Sequence, residues 1–253
     1  AQTTGGWNTG VGQNALTNNT TGGSNTALGY QAGYGAVGAA CGNNVFIGTV
    51  TGFGITTGGW NTLVGSSVGM SMTSGNSNVL VGFNSGNSLT NGSDNTCLGT
   101  YTGGAIVASA YNTFLGSRAG RYATGGGNVF VGIATGENTS SGSNNILLGY
   151  ALALPVAANS NQMSIGNLIF ATGVNGAGTT LSTGSVGIGT NAPNTSSILD
   201  LTSVTKAFLP PRMTTVQRDA IVSPIEGMMI YDLTLHKLCV RGATAWEVVT
   251  SAP

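Results

Sequence analysis

A five-residue pattern, Asn–(Thr/Val)–x–aliphatic–Gly, returns along the first two-thirds of the chain and constrains its fold more than any other feature. The Asn stands at Asn8, Asn25, Asn44, Asn61, Asn78, Asn95, Asn112, Asn128 and Asn145, with Gln162 in the tenth slot. Successive spacings are 17, 19, 17, 17, 17, 17, 16, 17 and 17 residues. The glycine four positions on keeps step, from Gly12 and Gly29 through Gly149 and Gly166, and a second glycine follows four later in most copies. Helical repeats need ~30 residues or more per unit. A period near 17 instead suits one coil of a solenoid made of short strands and tight turns, so the expected class is all-β, a parallel β-solenoid (β-roll or β-helix).

Within the pattern, the residue three after Asn is always aliphatic, as in Val64, Val81, Leu98 and Leu115. Side chains alternate faces along a strand, so this column shares a face with the column one after Asn, which is Thr, Val, Ile or Met. The column between them points the other way, yet it is also mostly apolar: Phe46, Leu63, Leu80, Cys97, Phe114, Phe130 and Leu147. A strand apolar on both faces is buried on both. One 17-residue coil has too small an interior for both, so the extra face is expected to pack against other copies of the chain. The expectation is an elongated parallel homotrimer. The Asn column reads as structural, because Asn suits turns and stacked Asn side chains bond to one another along a β-stack. The glycines read as positions of positive φ or close coil-to-coil approach. At roughly 4.8 Å per coil, ten coils span on the order of 48 Å.

Composition excludes several functions. The 253 residues include 43 glycines but only seven Lys+Arg and seven Asp+Glu, for a net charge of zero. That leaves no electrostatic footprint for nucleic acid or an anionic membrane. No apolar run approaches the ~20 residues that a membrane-crossing helix needs, so no membrane insertion is expected. With 40% hydrophobic residues, disorder through charge repulsion is unfavoured. Numbering opens at Ala1-Gln2 with no Met, which reads as a mature end left by signal-peptide cleavage and hence a secreted chain.

The repeats Asn-Thr-x-Leu-Gly and Asn-Val-x-Val-Gly resemble the head repeats of trimeric autotransporter adhesins and related stretches of phage tail fibres. The resemblance covers about residues 5–170 and implies a left-handed parallel β-roll trimer, although the period here is longer than that family's head repeat.

Composition shifts after the repeats. Residues 171–199 are uncharged and rich in Gly, Thr and Ser, as in a linker or slender stalk with a few β-pairings. From Asp200 the charges crowd in, and 200–253 reads as a small, mostly-β capping or docking domain. Thr214–Ile221 has the character of a cap followed by a helix. Gly227–Asp232, Lys237–Val240 and Trp246–Val249 read as strands, the first two joined around Leu233–His236. Residues 186–249, through Val186-Gly-Ile-Gly-Thr190, Ile198-Leu-Asp200, Phe208-Leu-Pro-Pro-Arg-Met-Thr214, Gln217-Arg-Asp-Ala-Ile221, Gly227-Met-Met-Ile-Tyr231 and Ala245-Trp246, resemble a module found near the C-terminal end of phage tail-fibre and related bacterial fibre proteins. That resemblance implies trimeric fibre architecture and a role in joining segments.

Catalytic and metal signatures are weak. His236 stands alone, with no motif-level Ser or Cys partner for a nucleophilic triad. Glycoside hydrolysis needs two carboxylates ~5–9.5 Å apart. The repeats hold only Asp94 and Glu137, in different columns more than two coils apart. Phosphate-loop, EF-hand and zinc spacings are missing, and no cofactor is expected. Cys41 and Cys97 lie about three coils apart, ~14 Å, beyond the ~7 Å Cα limit for a disulfide. Free thiols are expected, with an intersubunit Cys239 bridge as the alternative. The Thr column (Thr9, Thr26, Thr62, Thr96, Thr113) is interrupted by Val45, Val79, Val129 and Ile146, which spoils the flat array that ice binding requires. Trp7, Trp60 and Tyr111 precede Asn in coils one, four and seven. They are candidate glycan contacts, because exposed aromatic faces stack on sugars, or else they pack against a neighbouring chain.

The sequence therefore predicts a non-enzymatic structural fibre protein. Its partner is itself, as a homotrimer or an end-to-end polymer, and it builds an extracellular filament or adhesive surface appendage. The alternative is a phage tail-fibre or receptor-binding protein that recognises a host surface glycan. A glycan-cleaving spike is a third reading.

Overall fold

A computed structural model describes residues 5–250 of the chain. The Ala1-Gln2 terminus, on which the expectation of secretion rests, lies outside the described residues. The chain divides into two compact units at Thr202/Ser203.

The first unit is built on one thirteen-stranded sheet. Ten three-residue strands fall on the repeats: β1 (Thr9–Val11), β2 (Thr26–Leu28), β3 (Val45–Ile47), β4 (Thr62–Val64), β5 (Val79–Val81), β6 (Thr96–Leu98), β7 (Thr113–Leu115), β8 (Val129–Val131), β9 (Ile146–Leu148) and β10 (Met163–Ile165). Each pairs in parallel and in register with the next, so Thr62 faces Val79, Leu63 faces Leu80 and Val64 faces Val81. The expected parallel β-solenoid with coils about 17 residues apart is the fold observed.

The coil interior takes the middle column. Ala27, Phe46, Leu63, Leu80, Cys97, Phe114, Phe130 and Leu147 are fully enclosed within one subunit. They meet Ile55, Met72, Leu89 and Ile106 from the opposite wall of the coil, and Val68 and Ala119 from the turn that follows the strand. Phe114 and Phe130 stack at 5.0 Å between ring centroids. The columns on either side of the middle one point outward and stay partly uncovered: Val11 is 55% exposed, Leu28 49% and Leu115 45%. The extra apolar face of the repeat is thus the outward one.

Turn geometry explains the glycine column. From Gly12 to Gly149 the glycine after each strand has φ between 127° and 143°, a region that side-chain-bearing residues rarely adopt. A Cβ at Gly65 would also overlap the carbonyl of Gly82 in the next coil. Only glycine lets the coils approach here. The residue before each ladder position is left-handed as well, with φ from 55° (Trp7) to 70° (Gly127). The ladder Asn residues themselves are not left-handed. The sequence suggested that Asn served the turn directly, but the turn falls on its predecessor.

After β10 the chain reverses. β11 (Ile169–Ala171) pairs antiparallel with β10, and β12 (Val186–Ile188) pairs antiparallel with β11. β13 (Leu199–Leu201) then pairs in parallel with β12. The Gly/Thr/Ser-rich stretch 171–199 therefore carries strands of this same sheet.

The second unit has four strands in the order β14 (Arg212–Met213), β15 (Met229–Asp232), β16 (Lys237–Arg241) and β17 (Trp246–Val248). β14 and β15 are parallel and the other pairs antiparallel. Helix α1 (Thr215–Asp219) starts with a capping box. The Thr214 side chain accepts from the Gln217 backbone N–H, and the Gln217 side chain reaches back to the Thr214 N–H. No described helix is long and apolar enough to cross a membrane.

Candidate functional site

The ladder residues form a continuous hydrogen-bonded column through the first unit. Asn78 shows the full set. Its backbone N–H and its Nδ2 both donate to Asn61 Oδ1, each at 3.0 Å, and Nδ2 also donates to the Gly92 carbonyl at 3.0 Å. Its own Oδ1 accepts from the backbone N–H and Nδ2 of Asn95, each at 3.0 Å. Asn8, Asn25, Asn44 and Asn61 link in the same way at 2.9–3.1 Å. Asn112, Asn128 and Asn145 continue the column through backbone donors to the preceding Oδ1. All from Asn25 to Asn145 are buried. A buried amide left unpaired is costly, so a side chain with matched donors and acceptors at both ends is the economical choice for this position.

Gln162 ends the column differently. Its backbone N–H donates to Asn145 Oδ1 at 2.9 Å. Its longer side chain turns to the loop, with Nε2 donating to the Val156 and Asn159 carbonyls and Oε1 accepting from the Val156 N–H.

Trp7, Trp60 and Tyr111 stand on the outside of the coils, 92%, 68% and 71% exposed, and left-handed backbone holds each outward. Their places in coils one, four and seven put neighbours ~14 Å apart along the stack. None has a ring contact with another aromatic among the described residues.

Other candidate groups are not brought together. Glu137 lies 3.6 Å from Arg118, and Asp94 is exposed in another column. His236 occupies the left-handed turn between β15 and β16. No cluster of His, Cys, Asp and Glu among the described residues could hold a metal ion. All three cysteines are buried and unpaired. Burial pushes the Cys97 thiol up to about 12, and that of Cys41 up to about 11 despite an opposing backbone hydrogen bond. Cys239 is fully covered within its own unit, which removes the exposed thiol that an intersubunit bridge needs.

The second unit holds an arrangement that sequence reasoning missed. Asp232, at the end of β15, has no exposed side-chain surface. It accepts from the Thr234 and Leu235 backbone N–H groups at 2.9 and 3.0 Å, from Thr215 Oγ1 at 2.8 Å and from Arg218 at 3.1 Å. Burial raises its pKa. The Leu235 N–H, the Thr215 hydroxyl, the Thr234 N–H and the Arg218 charge together outweigh this and hold the carboxyl below its ordinary range. One carboxylate thus ties the hairpin turn to the first turn of α1. The available signal was an Asp followed two residues later by Thr in a predicted turn. Around this polar hub the unit buries little: Ile230 and Cys239 are its only buried apolar residues among those described. Val204, Phe208, Leu209, Val222 and Ile225 are each at least 63% exposed.

Residues 187–252 match the family model of a phage tail like trimerisation region. No curated protein and no solved structure matches the chain. The match and the solenoid fit a phage tail-fibre-like protein and support self-association as a homotrimer.

Proposed function

We propose that this chain is a non-enzymatic shaft protein of a trimeric fibre that works outside the cell or on a virion. The observation that carries this reading is uncovered apolar surface in both units. In the solenoid, two outward columns of Thr, Val, Ile, Leu and Met run along β1–β10 and remain partly exposed. In the second unit most large apolar side chains stay exposed. Soluble chains rarely leave such continuous apolar surface open, and packing against identical copies is the simplest way to cover it. The family match over residues 187–252 supports three copies. The in-register parallel pairing and the Asn column give stiffness along the coil axis, which is what a shaft must supply.

A second reading has its own support. Trp7, Trp60 and Tyr111 are exposed aromatic faces at regular three-coil spacing, which suits contact with a surface glycan. In that reading the fibre serves as an adhesive or receptor-binding appendage. Electron micrographs of the purified chain should show slender particles, whether single rods or threads; compact round particles would refute the shaft. Incubation with host polysaccharide should release no new reducing ends, and their appearance would refute the non-enzymatic assignment.

A further inference from the structure

The ten repeats carry only four charged residues: Asp94, Arg118, Arg121 and Glu137. Arg118 and Glu137 face each other at 3.6 Å and offset one another. Arg121 is held differently. Its guanidinium carbon lies 5.2 Å from the ring centroid of Tyr101 and 5.2 Å from that of Tyr122. The Arg121 side chain meets no carboxylate or hydrogen-bond acceptor among the described residues. Phe83 meets Tyr101 edge-on at 5.4 Å and extends the aromatic wall by one coil. Phe83, Tyr101 and Tyr122 are 44%, 39% and 54% exposed. The backbone fixes the cluster: Tyr101 N–H donates to the Phe83 carbonyl at 2.9 Å, Ala105 N–H to that of Arg121 at 2.9 Å, and Arg121 N–H to that of Arg118 at 3.2 Å.

A guanidinium clamped by two rings has already lost much of its rotamer freedom, and its N–H fork remains available. That fork matches a carboxylate in two parallel hydrogen bonds. The neighbouring rings offer apolar faces to a flat, partly apolar ligand. An acidic peptide would have to order a flexible chain around one cation. A sugar ring presents its carboxylate and its C–H faces in one rigid unit, so less freedom is lost on binding.

We propose that Arg121, Tyr101 and Tyr122, with Phe83 beside them, form a binding subsite for a carboxylate-bearing saccharide, such as a uronic or sialic acid residue of a surface polysaccharide. The subsite shares no residue with the Trp7, Trp60 and Tyr111 column. It lies within one chain, so it stands or falls separately from the trimeric shaft.

The test uses the full chain against immobilised polygalacturonate and polysialic acid, with carboxyl-reduced polygalacturonate and polyglutamate alongside. Binding to one or both acidic polysaccharides is expected, together with loss of binding to the reduced polymer. Which acidic polymer is retained identifies the sugar. Arg121→Gln and Tyr122→Ala should each weaken that binding at least tenfold with unchanged thermal midpoint and molecular mass. Arg121→Lys, which keeps the charge without the planar fork, should weaken it measurably. Retention of neither acidic polysaccharide, equal binding by Arg121→Gln, or equally tight binding of polyglutamate would overturn the proposal.

Discussion

A single ladder residue such as Asn78 satisfies donors and acceptors in two neighbouring coils at once. Asn78→Ala strands the Asn95 backbone N–H and the Gly92 carbonyl near the core, while the Asn61 oxygen keeps the Asn78 backbone N–H and Asn95 Nδ2 keeps the Ser93 and Ser109 carbonyls. A loss of about 2–4 kcal/mol in unfolding free energy is expected from chemical denaturation, since each stranded buried group costs ~1–3 kcal/mol and partial relaxation recovers some of it. Asn78→Asp keeps the acceptors but brings a buried negative charge against two oxygens. It should be worse than Asn78→Ala at neutral pH and improve as the pH falls and the new carboxyl takes up a proton. The buried thiols give a prediction of the same sign in a higher pH range. Their pKa values in the folded chain, about 11 for Cys41 and about 12 for Cys97, lie above the ordinary thiol value. Their contribution to stability is therefore complete below pH ~8.5 and declines as the pH rises toward those values. Iodoacetamide at pH 8 should label neither thiol in the native chain and both after unfolding.

Among the elements, the clearest pH response belongs to the hairpin of β15 and β16 with α1. The Asp232 carboxyl is held below its ordinary range, so the stability it gives is present above the unfolded carboxylate value of ~3.9 and is lost as the pH falls through the depressed folded value. Urea midpoints of the second unit, followed by Trp246 fluorescence, should drop in acid for the parental chain. For Asp232→Asn they should start lower and change less. The strands themselves were legible in the sequence because each repeat states its own register: the Asn and Gly positions pin every three-residue strand to its neighbour. The capping box of α1 and the β15–β17 meander were legible for the same local reasons. Which face of the strand turns inward was not. Val64–Leu98–Leu115 and Leu63–Cys97–Phe114 are both apolar columns, and only the closure of the coil decides that the second is enclosed. The Asp232 hub and the Arg121 clamp were hidden because each joins residues distant in sequence, Thr215 to Asp232 and Tyr101 to Arg121. On the outward columns, Leu28→Glu with Leu115→Glu should lower the associated mass measured by light scattering while far-UV circular dichroism keeps its β signature. Loss of the fold itself would show that these side chains serve the coil interior instead.

At the scale of the whole molecule, backbone pairing and the Asn column hold one coil to the next, whereas side-chain burial is left incomplete. Full burial of an aliphatic side chain contributes about 1.5–3 kcal/mol, and the half-exposed side chains of the outward columns and the second unit would each gain a fraction of that on association. An isolated chain forgoes this stabilisation, so folding and association should be coupled, with a thermal midpoint that rises with protein concentration. The measurement that tests this most directly is sedimentation equilibrium of the full chain. One species at three times the 25.1 kDa chain mass, persisting to low concentration, is expected. A soluble, cooperatively folded species at the mass of one chain would contradict it.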